Sequence, residues 1–247
     1  MTTHVVKYSG GIGSFAAALR VIERHGRDDV VLLFADTLVE DGDLYRFLDA
    51  SAAALALRAP VRVADGRTPF QVFADVSFLG NSRLAPCSHH LKQKPCRDWL
   101  EQHCDPADTV LYVGIDWSEE RRCEAITRNW APWRVEFPMC DEPHLTKAEM
   151  LDLARAAGVE PPRLYDLGFA HNNCAGACVR AGQRQWKRLL EVFPERYAAA
   201  EAAENRMRAR LGKDIAILKR TRNKVTRPLT LTQLRLEHEA AQRKEAA

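Results

Sequence analysis

KYSGGIGSF, residues 7–15, runs from the end of a short apolar stretch through three glycines into an alanine-rich one. His4–Ser9 reads as a strand, and Ser14–His25 as a helix with Phe15, Ala18, Leu19 and Ile22 on one face. A turn this rich in glycine fits the first crossover of a parallel sheet. There, backbone N–H groups approach a ligand closely and the following helix offers its positive end to an anion. A tight turn also needs glycine for steric reasons alone, so the turn by itself leaves phosphate binding and plain geometry as equal readings.

Further along, DVVLLFAD (29–36) is a continuous apolar run of the kind buried on both faces of a parallel sheet. Helix-like segments at 43–57, 91–103 and 119–129, with a short one after Thr68-Pro69, alternate with strand-like segments at 61–64, 109–115 and 134–137. The alternation predicts βαβ units with right-handed crossovers, hence an α/β, doubly wound, mostly parallel five-stranded sheet. Thr146 and Glu149 form a capping-box pattern, Gly158 closes that helix, and Pro161-Pro162 prevents its resumption. Helices follow at 180–192 and 194–211, then a basic segment and a last helix from Thr232, which together make a helical C-terminal extension.

The 247 residues suffice for one large domain or a domain with an appendage. No apolar stretch reaches the ~18 residues of a membrane span, and Met1-Thr-Thr-His4 enters Val5-Val6 without a leader pattern. The expectation is a soluble, cytoplasmic chain with no membrane partner. The net charge is +3, yet residues 206–227 hold nine Lys or Arg against Asp214 alone, so the basicity is local and the remainder is acidic. Such a segment either attracts phosphate or nucleic acid or is simply a solvated face.

Seven cysteines in a chain of this kind point away from disulfides and toward metal or redox chemistry. Cys104, Cys123 and Cys140 stand alone and read as buried thiols. In NNCAGACVRAGQ (172–183), Cys174 and Cys178 sit four residues apart among small residues and can converge on one centre. Cys87 and Cys96 bracket PCSHHLKQKPC (86–96). Thiolates alone favour zinc or an iron–sulfur cluster.

Ser9-Gly10-Gly11-Ile12-Gly13-Ser14 resembles the S-G-G-x-D-S pyrophosphate loop of the ATP-pyrophosphatase (PP-loop, adenine nucleotide alpha hydrolase) superfamily, in the branch of the phosphoadenosine phosphosulfate (PAPS) reductase-like proteins. Gly13 stands where the common motif has Asp. FADTLVE (34–40), GIDWSEERR (114–122) and the C-x-x-x-L-K pattern from Cys87 to Lys92 extend the resemblance over about Val5–Gly182. It implies a Rossmann-like nucleotide-binding domain over 1–160, followed by the Cys-containing, basic extension over 161–247. It also implies a site for ATP or PAPS, with Mg²⁺, built from Ser9, Gly10, Gly11, Gly13, Ser14, Asp36, Thr37, Lys92, Gly114, Glu119 and Arg122. The plainer readings are a helix cap for Asp36 or Asp41 and an i, i+3 surface pair for Glu119 with Arg122.

Relatives that hold clusters include tRNA thiolation enzymes, DNA phosphorothioation proteins and sulfonucleotide reductases. The resemblance therefore implies Cys87, Cys174 and Cys178 as catalytic thiols and as ligands of a 4Fe-4S cluster, with Cys96 as a fourth ligand. No cysteine follows Cys178, and the E-C-G-x-H motif of PAPS reductases is missing. The expected activity is therefore ATP-dependent sulfur transfer, with a nucleic-acid acceptor (tRNA or DNA) at 206–227 and a homodimer left open. Sulfonucleotide reduction and a non-catalytic nucleotide- or nucleic-acid-binding protein with a structural metal are the alternatives.

Overall fold

The apolar run at 29–36 forms β2 (Val30–Asp36), paired in parallel with β1 (Thr3–Lys7) on one side and β3 (Val61–Ala64) on the other. β1 also pairs in parallel with β4 (Thr109–Val113), and β4 with β5 (Arg134–Glu136), giving the order β3-β2-β1-β4-β5. The computed structural model, which describes residues 2–245, thus has the expected doubly wound α/β sheet. The strand order reverses between β1 and β4, so their carboxyl ends bound the crevice where such sheets hold ligands.

The sheet belongs to the first of two units, made of the chain up to Asp36, Asp41–Asp65 and Gln93–Arg163. Its helices are α1 (Ile12–His25), α2 (Gly42–Ala54), α4 (Lys94–His103), α5 (Cys123–Trp130) and α6 (Lys147–Ala156). Val5, Leu33 and Leu111 form one sheet face and pack with Cys96, Leu100, Trp130 and Trp133. α1 packs on β1, β2 and β4 and against α6. Asp41, 1% exposed, caps α2 and takes a bidentate contact from Arg163 at 2.9 and 2.8 Å, which ties the end of this unit to the start of α2.

The second unit comprises Thr37–Glu40, Gly66–Lys92 and the chain from Leu164 onward. It contains α3 (Pro69–Asp75), the C-terminal part of α7 (Arg163–Asp166), α8 (Gln183–Val192), α9 (Pro194–Leu211) and α10 (Leu231–Glu245). An antiparallel hairpin joins α9 to α10: β6 (Leu218–Arg222) and β7 (Val225–Leu229). The core gathers Phe73, Trp186, Leu189, Tyr197, Met207, Leu231 and Leu234. Glu204, fully buried on α9, accepts the N–H of Ile217 at 2.8 Å and of Leu231 at 2.7 Å, so one carboxylate holds both ends of the hairpin excursion. Among the described residues no helix is long and apolar enough to cross a membrane.

Candidate functional site

In the first unit, the turn between β1 and α1 is shaped by glycine where space and backbone demand it. Gly10 has φ +71°, and a Cβ there would lie 2.8 Å from Leu44 Cγ. A Cβ on Gly114, just past β4, would come within 3.0 Å of the Gly13 carbonyl oxygen, so Gly114 lets the end of β4 approach the first turn of α1. The 3.5 Å around a Cβ on Gly13 is ordinary contact, so Gly13 is not forced by packing. Gly11 is the N-cap of α1 with no capping side chain, and the first turn carries no acid, leaving the positive end of the helix without an anionic group of its own. The Ser14 hydroxyl donates to the Gly11 carbonyl at 2.7 Å and lies 3.3 Å from the Ser9 hydroxyl. This arrangement can take a phosphate or sulfate group.

The other residues expected around a nucleotide are engaged in particular ways. Asp36 accepts from the Tyr45 hydroxyl at 2.8 Å; the helix cap is Asp41, not Asp36. Glu119 and Arg122 form an exposed i, i+3 ion pair on a 3₁₀ turn that Asp116 caps. Such a pair contributes only ~0.2–0.5 kcal/mol, and its strength leaves Arg122 available to exchange partners. Cys96 is 1% exposed within the apolar cluster of the first unit, packed with Leu100, Trp130 and Trp133. Cys123 and Cys140, which the sequence separates, bring their sulfurs to 3.8 Å, and Cys140 also reaches the Ile115 carbonyl. Burial pushes the Cys140 thiol up to about 12, which keeps it protonated and unreactive.

In the second unit, Cys87, Lys92, Glu40, Cys174 and Cys178 form one electrostatic group. Lys92 lies on a π-helical stretch (Ser88–Gln93), a wide turn that often marks functional sites. Its ammonium reaches Asn173 Oδ1 at 3.1 Å and Glu40 at 3.6 Å. The Glu40 side chain is 2% exposed and also accepts from the Thr37 hydroxyl and from the backbone N–H of Cys174. Thr37 is therefore committed to Glu40. Burial works against the Lys92 charge, but Glu40 and the neighbouring sulfurs outweigh it and hold the lysine above its usual range.

The loop that carries the thiol pair bends through three successive residues with positive φ: Cys174 (+51°), Ala175 (+48°) and Gly176 (+90°). A Cβ at Gly176 would sit 2.6 Å from a Phe169 ring carbon, so this position requires glycine. Cys174 and Cys178 share a side-chain hydrogen bond. That hydrogen bond, aided by the Arg180 N–H and the Lys92 charge against the effect of burial, lowers the Cys178 thiol. The same bond, together with burial and Glu40, raises Cys174. Cys87 is pushed up to about 11 by burial first and by Cys178 second. Of the three sulfurs, Cys178 is thus the one whose surroundings favour the thiolate, while those of Cys174 and Cys87 favour the neutral thiol.

Among the described residues no group of three His, Cys, Asp or Glu side chains stands close enough to hold a metal ion. The described residues therefore do not present the three- or four-thiolate set expected for an iron–sulfur cluster.

No family model matches the chain, and no curated protein does. Among solved structures it is similar to a phosphoadenylyl-sulfate (PAPS) reductase from Candida auris, in a phosphate complex, at 15% identity and a TM-score of 0.45 over 68% of this chain and 78% of that one. A likeness this distant assigns no activity. The partnership of Lys92 with Glu40 was outside the reach of sequence reasoning, since nothing local relates positions 40, 92 and 174. The one available signal was that Glu40 and Lys92 each fell inside a motif.

Proposed function

We propose that this chain is an adenine-nucleotide-dependent enzyme of sulfur chemistry that transfers sulfur through Cys178 and Cys174. The observation that carries the reading is the hydrogen-bonded thiol pair with one lowered member, set beside a lysine that a buried glutamate fixes in place. The turn at Ser9–Ser14 supplies the phosphate cradle for ATP, and Mg²⁺ would accompany the nucleotide as part of the substrate. Attack of an acceptor oxygen on the α-phosphate releases pyrophosphate and leaves an adenylylated acceptor. A persulfide on Cys178 displaces AMP from it, forming an acceptor–S–S–Cys178 link. The Cys174 thiolate then attacks the Cys178 sulfur, releasing the thiolated acceptor and leaving a Cys174–Cys178 disulfide that an external thiol reduces. The acceptor is a nucleic acid held by the basic segment 206–227.

The same pair favours a second reading, reductive cleavage of PAPS. There, Cys178 attacks the sulfonyl sulfur, 3′-phosphoadenosine 5′-phosphate leaves, and Cys174 resolves the S-sulfocysteine to release sulfite and the disulfide. Product analysis separates the two, with the protein incubated with ATP or PAPS, a persulfide donor, a thiol reductant and bulk tRNA or DNA. AMP with pyrophosphate is expected; sulfite with 3′-phosphoadenosine 5′-phosphate moves the assignment to the reductase. Cys178→Ser abolishes either reaction, by about 10³-fold or more if the thiolate is the nucleophile. Full turnover by that variant removes the thiol pair from the mechanism.

A further inference from the structure

The β6–β7 hairpin differs from every other surface element of the second unit in carrying five cations and no acid over LKRTRNKVTRPL (218–229). Its register sets Arg220 directly opposite Arg227 and Arg222 opposite Val225. Like charges facing across a ladder destabilise it. Glu237 of α10 offsets Arg220 with a bidentate contact at 2.7 and 2.6 Å, while Arg227 is exposed to solvent. The turn residues Asn223 and Lys224 have φ +49° and +63°, the left-handed pair of a two-residue hairpin turn.

Burial divides the hairpin sharply. Leu218 and Leu229 at its base are 5% and 3% exposed within the core, but everything from Thr221 to Arg227 is solvated. An isolated two-stranded ribbon is only marginally stable in water, so the anchored base and the Glu204 clamp hold a ribbon whose outer half buries nothing of its own. Beside the base lies a cleft of about 430 Å³, lined by Arg83, Lys213, Lys219 and Arg227 together with apolar residues such as Phe78 and Ile215. Its acid, Asp214, is taken by Arg208 at 3.0 Å. Positive charge therefore extends from Lys224 at the tip to Arg83 and Lys213 in the cleft.

We infer that the β6–β7 ribbon and the cleft at its base form a docking surface for the phosphate backbone of double-stranded DNA. A two-stranded ribbon fits the major groove of B-form DNA, which is about 12 Å wide. The deep, narrow major groove of duplex RNA does not admit one. The hairpin has no aromatic side chain, and so lacks the stacking platform that single-strand binders use. Thr221 and Thr226 hydrogen-bond to each other across the ladder and add hydroxyls between the cations. This inference sharpens the reading of 206–227 as a nucleic-acid surface and is independent of the thiol chemistry.

The test is the binding of a labelled DNA duplex of mixed sequence by fluorescence anisotropy between 50 and 200 mM salt, with the single strand and the equivalent RNA duplex as competitors. Contact with about four phosphates predicts an affinity loss of about 10²-fold across that range. The triple substitution Arg222→Ser, Lys224→Ser and Arg227→Ser should weaken binding at least about tenfold and make the salt slope shallower by about two to three. Arg83→Ser with Lys213→Ser, which leaves the hairpin intact, should weaken binding by a smaller factor in the same direction. Absence of binding at 50 mM salt, equal binding by wild type and both variants, or preference for the single strand or RNA overturns the inference. Duplex binding without AMP formation would uphold it while removing the sulfur-transfer reading.

Discussion

At the glycine turn the left-handed backbone falls on Gly10, which adopts it without a Cβ to clash; at the thiol loop it falls on Cys174 and Ala175 before it reaches Gly176. Each non-glycine residue held there costs about 1–3 kcal/mol, and such strain persists only where the surroundings over-determine it. Here the over-determination is visible: Glu40 takes the Cys174 N–H, Lys92 holds Asn173, and the Phe169 ring fixes Gly176. The difference separates two tasks. A phosphate cradle needs only open N–H groups and room, whereas a reactive thiol must be held in one orientation against its partner sulfur.

The largest effect is expected from Gly10→Val. The side chain would collide with Leu44 at a backbone angle that valine disfavours, costing about 2–5 kcal/mol of stability and an affinity for ATP lower by about tenfold or more. Calorimetric titration and thermal unfolding check both effects, and undiminished ATP binding would remove the turn from the site. Next in size is Lys92→Met. The lysine's charge favours the Cys178 thiolate, so its loss should move the alkylation midpoint of Cys178 upward by about one pH unit and slow labelling at neutral pH about tenfold. Labelling with iodoacetamide across pH, followed by peptide mapping, measures this; an unchanged midpoint would leave the Cys174 hydrogen bond and the Arg180 N–H as the causes. The smallest effect is expected from Ala175→Gly, which relieves the left-handed strain and should stabilise the protein by up to about 1 kcal/mol in urea unfolding, less the greater entropy of the unfolded chain. A destabilised variant would show that Ala175 is not strained.

The five strands of the sheet were legible because each carries its own signal: the run at 29–36 is apolar enough to be buried on both faces, and glycine punctuates the first crossover. The β6–β7 hairpin was not, because Lys219, Arg220, Arg222 and Arg227 obscure a strand whose alternation shows only in Thr221, Val225 and Thr226. The turn pair Asn223-Lys224 was the signal that could have found it. At the candidate site, the convergence of Cys174 with Cys178 followed from their spacing. That Thr37 and Glu40 belong with the cysteines rather than stand only at the end of β2 did not, since local sequence says nothing about which distant lysine a carboxylate meets. Cys96 shows the converse: a proline-flanked cysteine in a suggestive motif whose side chain serves an apolar core.

The two amides that Glu204 accepts lie thirteen and twenty-seven residues beyond it, on either side of everything in the hairpin. An excursion whose entry and exit meet at one side chain behaves as a removable cassette. Apart from Arg220, which pairs with Glu237 of α10, residues between Leu218 and Leu229 can lengthen, shorten or change charge while the Glu204 clamp stays in place, so a lineage can alter what this surface grips on the same helical frame.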